Sequence, residues 1–259
     1  MKGFSKMQIL LTIAYDGTNY SGWQKQDNAI TVQEKVEDAL SQLLNRVVVV
    51  QASSRTDAGV HALGQRASFF AEDLRVPLDK LPMVLVGLLP SDISVIAAKV
   101  VPDDFNPRFC TEYKTYAYNI YNAPSPNPLL NRYSAFIPQC LNIEAMKEAA
   151  QAFVGQYDFA AFCATGGSAK TTVRKIFSCT VEKQINGLVT ITVTGNGFLY
   201  NMVRIIAGTI AYVGMGKILP QDIKSIIMSV DRTQAGKTMP PQGLVLIEVG
   251  YPIYWTNHP

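Results

Sequence analysis

The chain has 259 residues, of which 48% are hydrophobic and 17% charged, with a formal net charge of +3. Such a chain can bury a sizeable core in one large or two small domains and is not disordered; its mild positive charge permits an RNA partner without requiring one. The four cysteines, Cys110, Cys140, Cys163 and Cys179, form no C-x-x-C pair and there are only two histidines, His61 and His258, which speaks against a Cys/His zinc site and for reduced, mostly buried thiols.

Residues 8–15, rich in Ile, Leu and Thr, read as a strand. The apolar stretch 7–15 is too short to span a membrane and lacks a signal-peptide cleavage pattern. Thr31 and Glu34 form a capping box, and Val32, Val36, Ala39, Leu40 and Leu43 follow a helical stripe, so the spacing predicts a helix over 32–44. The β-branched run 47–52 reads as a strand and 65–70 as another. A helix is expected over 78–88, started late or kinked by Pro82, then a strand over 93–100. The order β-α-β-β-α-β is the ferredoxin-like pattern.

The second half reads as a looser copy. Residues 113–121 alternate as a strand, with Tyr116 and Tyr118 on one face and Tyr113 and Tyr121 on the other. The proline-rich stretch 123–128 is loop. A helix over 143–153 is capped by Asn142. Strands over 173–182 and 188–194 are joined near Asn186-Gly187, a hairpin signal. Helices over 202–213 and 220–230, the second opening on Pro220, precede a last strand over 244–249. The expected class is α+β, two ferredoxin-like halves divided at 105/106 (1–105 and 106–259).

The most informative stretch is Arg55-Thr56-Asp57-Ala58-Gly59-Val60-His61-Ala62. Asp-x-Gly is good turn chemistry, so Asp57 belongs on a loop held between two strands, where reactive groups are displayed. Taken alone, an Asp in a turn is usually a backbone cap, and a short string matches by chance.

The string resembles the active-site motif of the tRNA pseudouridine synthase A family, and the likeness runs on in family order. Gly22-Trp23-Gln24-Lys25-Gln26 is similar to its early segment and Thr31-Val32-Gln33-Glu34-Lys35-Val36-Glu37 to its first helix. Val101-Pro102-Asp103-Asp104-Phe105-Asn106-Pro107-Arg108-Phe109, leading into Lys114-Thr115-Tyr116-Ala117-Tyr118, is similar to its second motif. Asn201-Met202-Val203-Arg204 and Gly243-Leu244-Val245-Leu246 resemble its later ones. The resemblance implies that the two halves form one continuous, mostly antiparallel sheet with a central cleft. It also implies isomerisation of uridine to pseudouridine at positions 38, 39 or 40 of the tRNA anticodon stem-loop by a cytoplasmic homodimer, with tRNA the partner and no membrane.

That reaction needs no metal, cofactor or energy donor. It needs a carboxylate near the sugar or base, a flat surface for the base, and exclusion of water. Asp57 matches the family's carboxylate and can act as nucleophile at C1′ or C6 or as a base. Arg204 resembles the basic partner that keeps the carboxylate ionised; breaking such a pair costs ~3–5 kcal/mol when it is buried. Tyr116 resembles the tyrosine that stacks on the target base. The target must be flipped out, and Arg55 is placed to fill the vacated space or hold a displaced phosphate. His61 reads as a brace for the loop. Lys25, Lys170, Arg174 and Lys175 are possible phosphate contacts or ordinary solvated charges, and Trp23 is either a stacking platform or a core residue.

Three positions depart from the family pattern. Ser54 stands where Gly is usual, Val86 where Asn is common, and Lys114 where the tyrosine motif has Arg, keeping charge but losing the planar fork. The alternatives are a non-catalytic structured-RNA-binding protein, a pseudouridine synthase with another RNA target, and a small-molecule hydrolase using Asp57 with His61.

Overall fold

The structure, a computed structural model, describes residues 6–72, 74–167 and 169–256, leaving His258 outside. The chain divides into two compact units, Met1–Glu112 with Leu246–Pro259, and Tyr113–Val245. The units divide at 112/113, where the sequence reading places the division at 105/106, and the C-terminal segment counts with the first unit. Phe105 shows why: it packs edge-on against Tyr251 and Trp255, at 5.0 and 5.6 Å between ring centroids, so this part of the chain is one cluster.

Both units are α+β, and their strand pairings are mostly antiparallel. In the first, β1 (Met7–Tyr15) lies between β3 (His61–Ala71) and β4 (Ile93–Val101) and runs antiparallel to both. The short β2 (Gln51–Ala52) pairs with β3 as well. With α1 (Val32–Leu44) and α2 (Leu81–Val86) the chain order is the expected β-α-β-β-α-β. Thr31 Oγ1 accepts from the Glu34 backbone N–H at 3.4 Å, the cap the sequence announces. Val32, Val36, Ala39 and Leu40 are buried, as the stripe requires.

Residues 47–50 differ from the sequence reading. They alternate exposed and buried like a strand, but only Gln51–Ala52 joins the ladder. Their backbone bonds go to helix side chains instead. Val48 N–H donates to Ser41 Oγ at 2.9 Å and Val50 N–H to Glu37 Oε1 at 3.1 Å. The predicted helix over 78–88 divides into a 3-10 turn, Leu78–Lys80, and α2, because Pro82 fits only a first helical turn.

In the second unit β5 (Tyr113–Asn122) pairs antiparallel with β9 (Leu188–Gly195), β9 with β8 (Val173–Lys183), and β8 with β7 (Gly155–Asp158). β6 (Ala135–Ile137) pairs parallel with β5. The Asn186-Gly187 hairpin is present, with Gly187 at φ +86 and Asn186 Oδ1 accepting from Leu188 N–H at 3.1 Å. α3 (Ile143–Gln151) has its Asn142 cap, bonded to Ala145 N–H at 3.1 Å. α4 (Met202–Gly214) is buried over most of its length. The 220–230 helix is a 3-10 turn, Pro220–Asp222, followed by α5 (Ile223–Ser229). A core of Phe153, Phe159 and Phe162 closes this unit, with centroids 5.1 and 6.1 Å apart.

β6, β7 and α6 (Ile253–Thr256) are absent from the sequence reading, being three or four residues long and so without a readable period. β10 (Leu244–Gly250) is the final predicted strand. The cysteines are all free, but only Cys179 is buried; Cys140 is exposed and the other two half-buried, against the expectation of mostly buried thiols. Burial pushes the Cys179 thiol up to about 12, which leaves it inert at neutral pH. Among the described residues no helix is long and apolar enough to cross a membrane.

Candidate active site

The Asp57 loop belongs to the first unit and connects β2 to β3. It is fixed from several sides. Thr56 is buried, its Oγ1 2.7 Å from the Tyr15 hydroxyl, and its carbonyl accepts from Trp23 N–H at 3.0 Å. Val60 N–H donates to Asp57 O at 3.1 Å, closing the predicted Asp-x-Gly turn, with Gly59 at φ +76. Gly59 N–H donates to Tyr20 O at 3.3 Å.

Two glycines let neighbouring segments approach this loop. At Gly22, φ +90, a Cβ would lie 2.6 Å from Thr56 O and 3.2 Å from the Ala58 nitrogen. At Gly17 a Cβ would overlap the Val60 carbonyl. The Gly22-Trp23 stretch is therefore the loop's backing. Trp23 itself is 1% exposed and tilted against Tyr15, a core residue and not a platform for bases.

Asp57 is half-buried, Arg55 exposed and Ser54 buried. Ser54 does not occupy a positive φ, so its replacement of the family's Gly does not strain the backbone. Its carbonyl accepts from Gln65 Nε2 at 2.8 Å, while its buried hydroxyl has no hydrogen-bond partner among the described residues. His61 is buried, its Nδ1 accepting from Gly17 N–H at 3.1 Å. The Asp16 carboxylate lies 3.1 Å from the same nitrogen and accepts from it only when Nδ1 carries a hydrogen, in which case Gly17 N–H loses that acceptor. In either arrangement His61 braces the loop from behind.

Tyr116 and Arg204 belong to the second unit. Tyr116, on β5, is 8% exposed and meets Phe198 edge-on at 5.2 Å. Phe198 begins the turn into α4, where Arg204 stands half-buried in the first turn. Arg204 Nε donates to Met239 O at 2.7 Å and Nη1 to Asn201 Oδ1 at 2.6 Å. Tyr118, fully buried, donates to the adjacent Pro240 carbonyl at 2.7 Å. Burial holds the Tyr118 phenol well above its usual range, and Arg204 pulls it part of the way back. Tyr116 thus meets Phe198, Arg204 meets Met239 and Asn201, and Tyr118 links β5 to the 239–240 segment.

Of the remaining basic candidates, Lys25 lies in the first unit and Lys170, Arg174 and Lys175 in the second. Lys25 pairs with Glu37 at 3.6 Å. Arg174 folds back on the Thr171 and Val173 carbonyls, and desolvation lowers its pKa. Lys170 and Lys175 are exposed. Sequence reasoning did not find Asn201, Met239 or Tyr15. Asn201 stood in a quoted motif, but its contact with Arg204 depends on a left-handed backbone that composition does not reveal.

A family model described as tRNA pseudouridine synthase matches residues 11–110 and 149–252 of the chain. A tRNA pseudouridine synthase A of Caldicellulosiruptor bescii is 49% identical over 243 residues, covering 94% of this chain and 99% of the relative. One of Ruminiclostridium cellulolyticum is 49% identical over 244 residues and one of Geotalea uraniireducens 50% over 244, with the same coverage. Among solved structures, one titled "Crystal Structure of a Cbf5-Nop10-Gar1 Complex" aligns with 95% of this chain and 50% of that one at 12% identity and TM-score 0.38, too slight a likeness to bear on the fold.

Proposed function

Because the chain belongs to the tRNA pseudouridine synthase family, we propose that it isomerises uridine to pseudouridine in tRNA, with Asp57 as the reacting carboxylate. In this reaction the uridine N1–C1′ bond breaks, the uracil turns, and a C5–C1′ bond forms. The proton lost from C5 is balanced by one gained at N1, so no oxidant, metal or energy donor enters. The observation that carries the reading is a half-buried Asp on a loop held by Trp23 and Tyr20 at its backbone and by Tyr15 at the Thr56 hydroxyl. A capping Asp does not need that much backing.

Arg204 is the cation that keeps the carboxylate ionised once water is excluded, since an adjacent guanidinium typically lowers a carboxylate pKa by roughly one to three units. Tyr116, 8% exposed, is the aromatic surface assigned to the base. Arg55, exposed two residues from Asp57, occupies the space a flipped nucleotide leaves or holds its phosphate. The target is a uridine at position 38, 39 or 40 of the anticodon stem-loop, and the working form is a cytoplasmic homodimer sharing one tRNA.

Pseudouridine mapping on total tRNA incubated with the protein tests this directly. The wild type should introduce pseudouridine in the anticodon arm. Asp57→Asn should lose at least ~10³-fold in kcat, as expected for a covalent nucleophile, while tRNA affinity stays within about twofold. Wild-type protein that binds tRNA and forms no pseudouridine would sink the reading.

A further inference from the structure

We propose that Asn201 is a positioning residue that aims the Arg204 guanidinium without neutralising it. The inference rests on the reading of Arg204 as the active-site cation. Asn201 is the N-cap of α4 and sits at φ 59, ψ 8, a left-handed conformation. Asn tolerates that region better than other residues with a side chain. An N-cap Asn ordinarily accepts from a backbone N–H of the first turn. Here there is no such cap, and the side-chain oxygen accepts from Arg204 Nη1 at 2.6 Å. The amide has been taken from the helix and given to the arginine.

A second neutral oxygen holds the same fork from another direction. Arg204 Nε donates to the Met239 carbonyl at 2.7 Å, and Met239 N–H returns a bond to the Arg204 carbonyl at 3.2 Å. The segment carrying Met239 is itself anchored to α4. Gly236 N–H donates to Thr209 Oγ1 at 2.9 Å, and Arg232 clasps Gly236 O at 3.0 Å and Thr238 Oγ1 at 3.1 Å. Two acceptors from different segments fix the plane of a guanidinium, which one cannot.

Both acceptors are uncharged, and the first turn of α4 contains no acidic residue. The helix N-terminus adds further positive potential. Neither of these two bonds neutralises the cation. Aspartate at 201 would accept the same bond and add a negative charge.

The plain alternative is an Asn selected only for its backbone. Asn201→Gly and Asn201→Asp in the full-length protein separate the two. Gly suits φ 59 better but has no amide. Asp keeps the shape and the bond but adds charge. With the amide gone, kcat on tRNA should fall about tenfold or more, the scale of a lost hydrogen bond to a charged group. Asn201→Gly should keep tRNA affinity within about twofold of wild type, with Tm at or above wild type, because the left-handed strain is relieved.

Asn201→Asp should keep or raise Tm, since an acid is favourable at a helix N-terminus. Its kcat should nonetheless fall, and the acid limb of its pH profile should move to higher pH. The sign follows from charge: a weakened cation makes Asp57 harder to ionise, so the carboxyl stays protonated to higher pH.

Wild-type kcat in Asn201→Gly overturns the proposal, as does a loss of kcat that tracks a loss of Tm in both variants. If Asn201→Gly does not fold, Asn201→Asp decides alone: wild-type kcat with an unmoved pH profile overturns it. Failure of the underlying reading looks different, because Arg204→Ala would then retain the wild-type rate.

Discussion

The Asp57 loop and the Arg204 neighbourhood solve the same problem, holding a charged group still, by different means. The loop has almost no secondary structure of its own. Its stiffness comes from backbone-to-backbone approach, through Trp23 N–H to Thr56 O, Tyr20 O to Gly59 N–H, and the two glycines that admit Thr56 and Val60. Arg204 stands instead on a long buried helix and is aimed by side chain and strap, through Asn201 Oδ1 and Met239 O. The strap too meets α4 backbone to backbone, at Gly208 and Lys237, but the rest of its fastening is hydrogen bonds to the Thr209 and Arg232 side chains, so it can shift as a piece. The first group should therefore be more sensitive to added atoms, and the second to added charge.

A matched pair of glycine substitutions breaks or sharpens that contrast. Gly22→Ala places a methyl against Thr56 O and forces Ala to φ +90. Strain of that kind costs ~1–3 kcal/mol before any clash is counted, and the displacement falls on Asp57 itself. We expect the largest loss here, in both Tm and kcat. Gly208→Ala places a methyl into the Lys237 carbonyl, without a positive φ. The strap should lift, costing ~1–3 kcal/mol of overpacking, and kcat should fall through the Met239 acceptor. Thermal melts and single-turnover rates on tRNA measure both. A Gly208→Ala variant that loses more stability than Gly22→Ala would reverse the comparison.

The same contrast explains what the sequence disclosed. The α+β order of the first unit was legible because its strands and helices are long enough to show a period, and because Thr31 caps α1 as its spacing with Glu34 implies. The Asp57 turn was legible because Asp-x-Gly has a local mechanism. Its backing was not, because Trp23, Gly22 and Tyr15 lie 34 to 42 residues before Asp57; Trp23 and Gly22 meet the loop through backbone atoms that carry no residue signature, and Tyr15 through a hydroxyl whose partner no local pattern names. Residues 47–50 misled for a related reason. Their alternation records burial, while their hydrogen bonds go to Ser41 and Glu37 on α1. Cys140 was expected among mostly buried thiols and is exposed.

Two tyrosines, one from each region, provide a finer test. Tyr116→Ala removes the ring that faces Phe198 and, on the proposed reading, the surface that meets the base. Base–aromatic stacking is worth ~1–3 kcal/mol, so kcat/KM should fall by roughly 5- to 150-fold. Tyr116→Phe should recover the part of that loss due to the ring. A Phe variant as impaired as the Ala variant would move the role of Tyr116 from its ring to its hydroxyl.

Tyr15→Phe should have the smallest effect, and its direction bears on the loop alone. The hydroxyl lies 2.7 Å from Thr56 Oγ1, both groups are buried, and the ring is tilted against Trp23. Removing it leaves the packing in place but deprives the Thr56 hydroxyl of this partner. An intramolecular hydrogen bond of this kind contributes ~0.5–1.5 kcal/mol, with a further cost when the remaining partner stays buried. A Tm lower by a few degrees is expected, with kcat reduced severalfold and KM for tRNA unchanged. That split follows because Thr56 precedes Asp57 and touches the reaction only through it. If KM rose while kcat held, Thr56 would be shaping RNA contact and not the carboxylate, and the loop would owe its stillness to Trp23 and Gly22 alone.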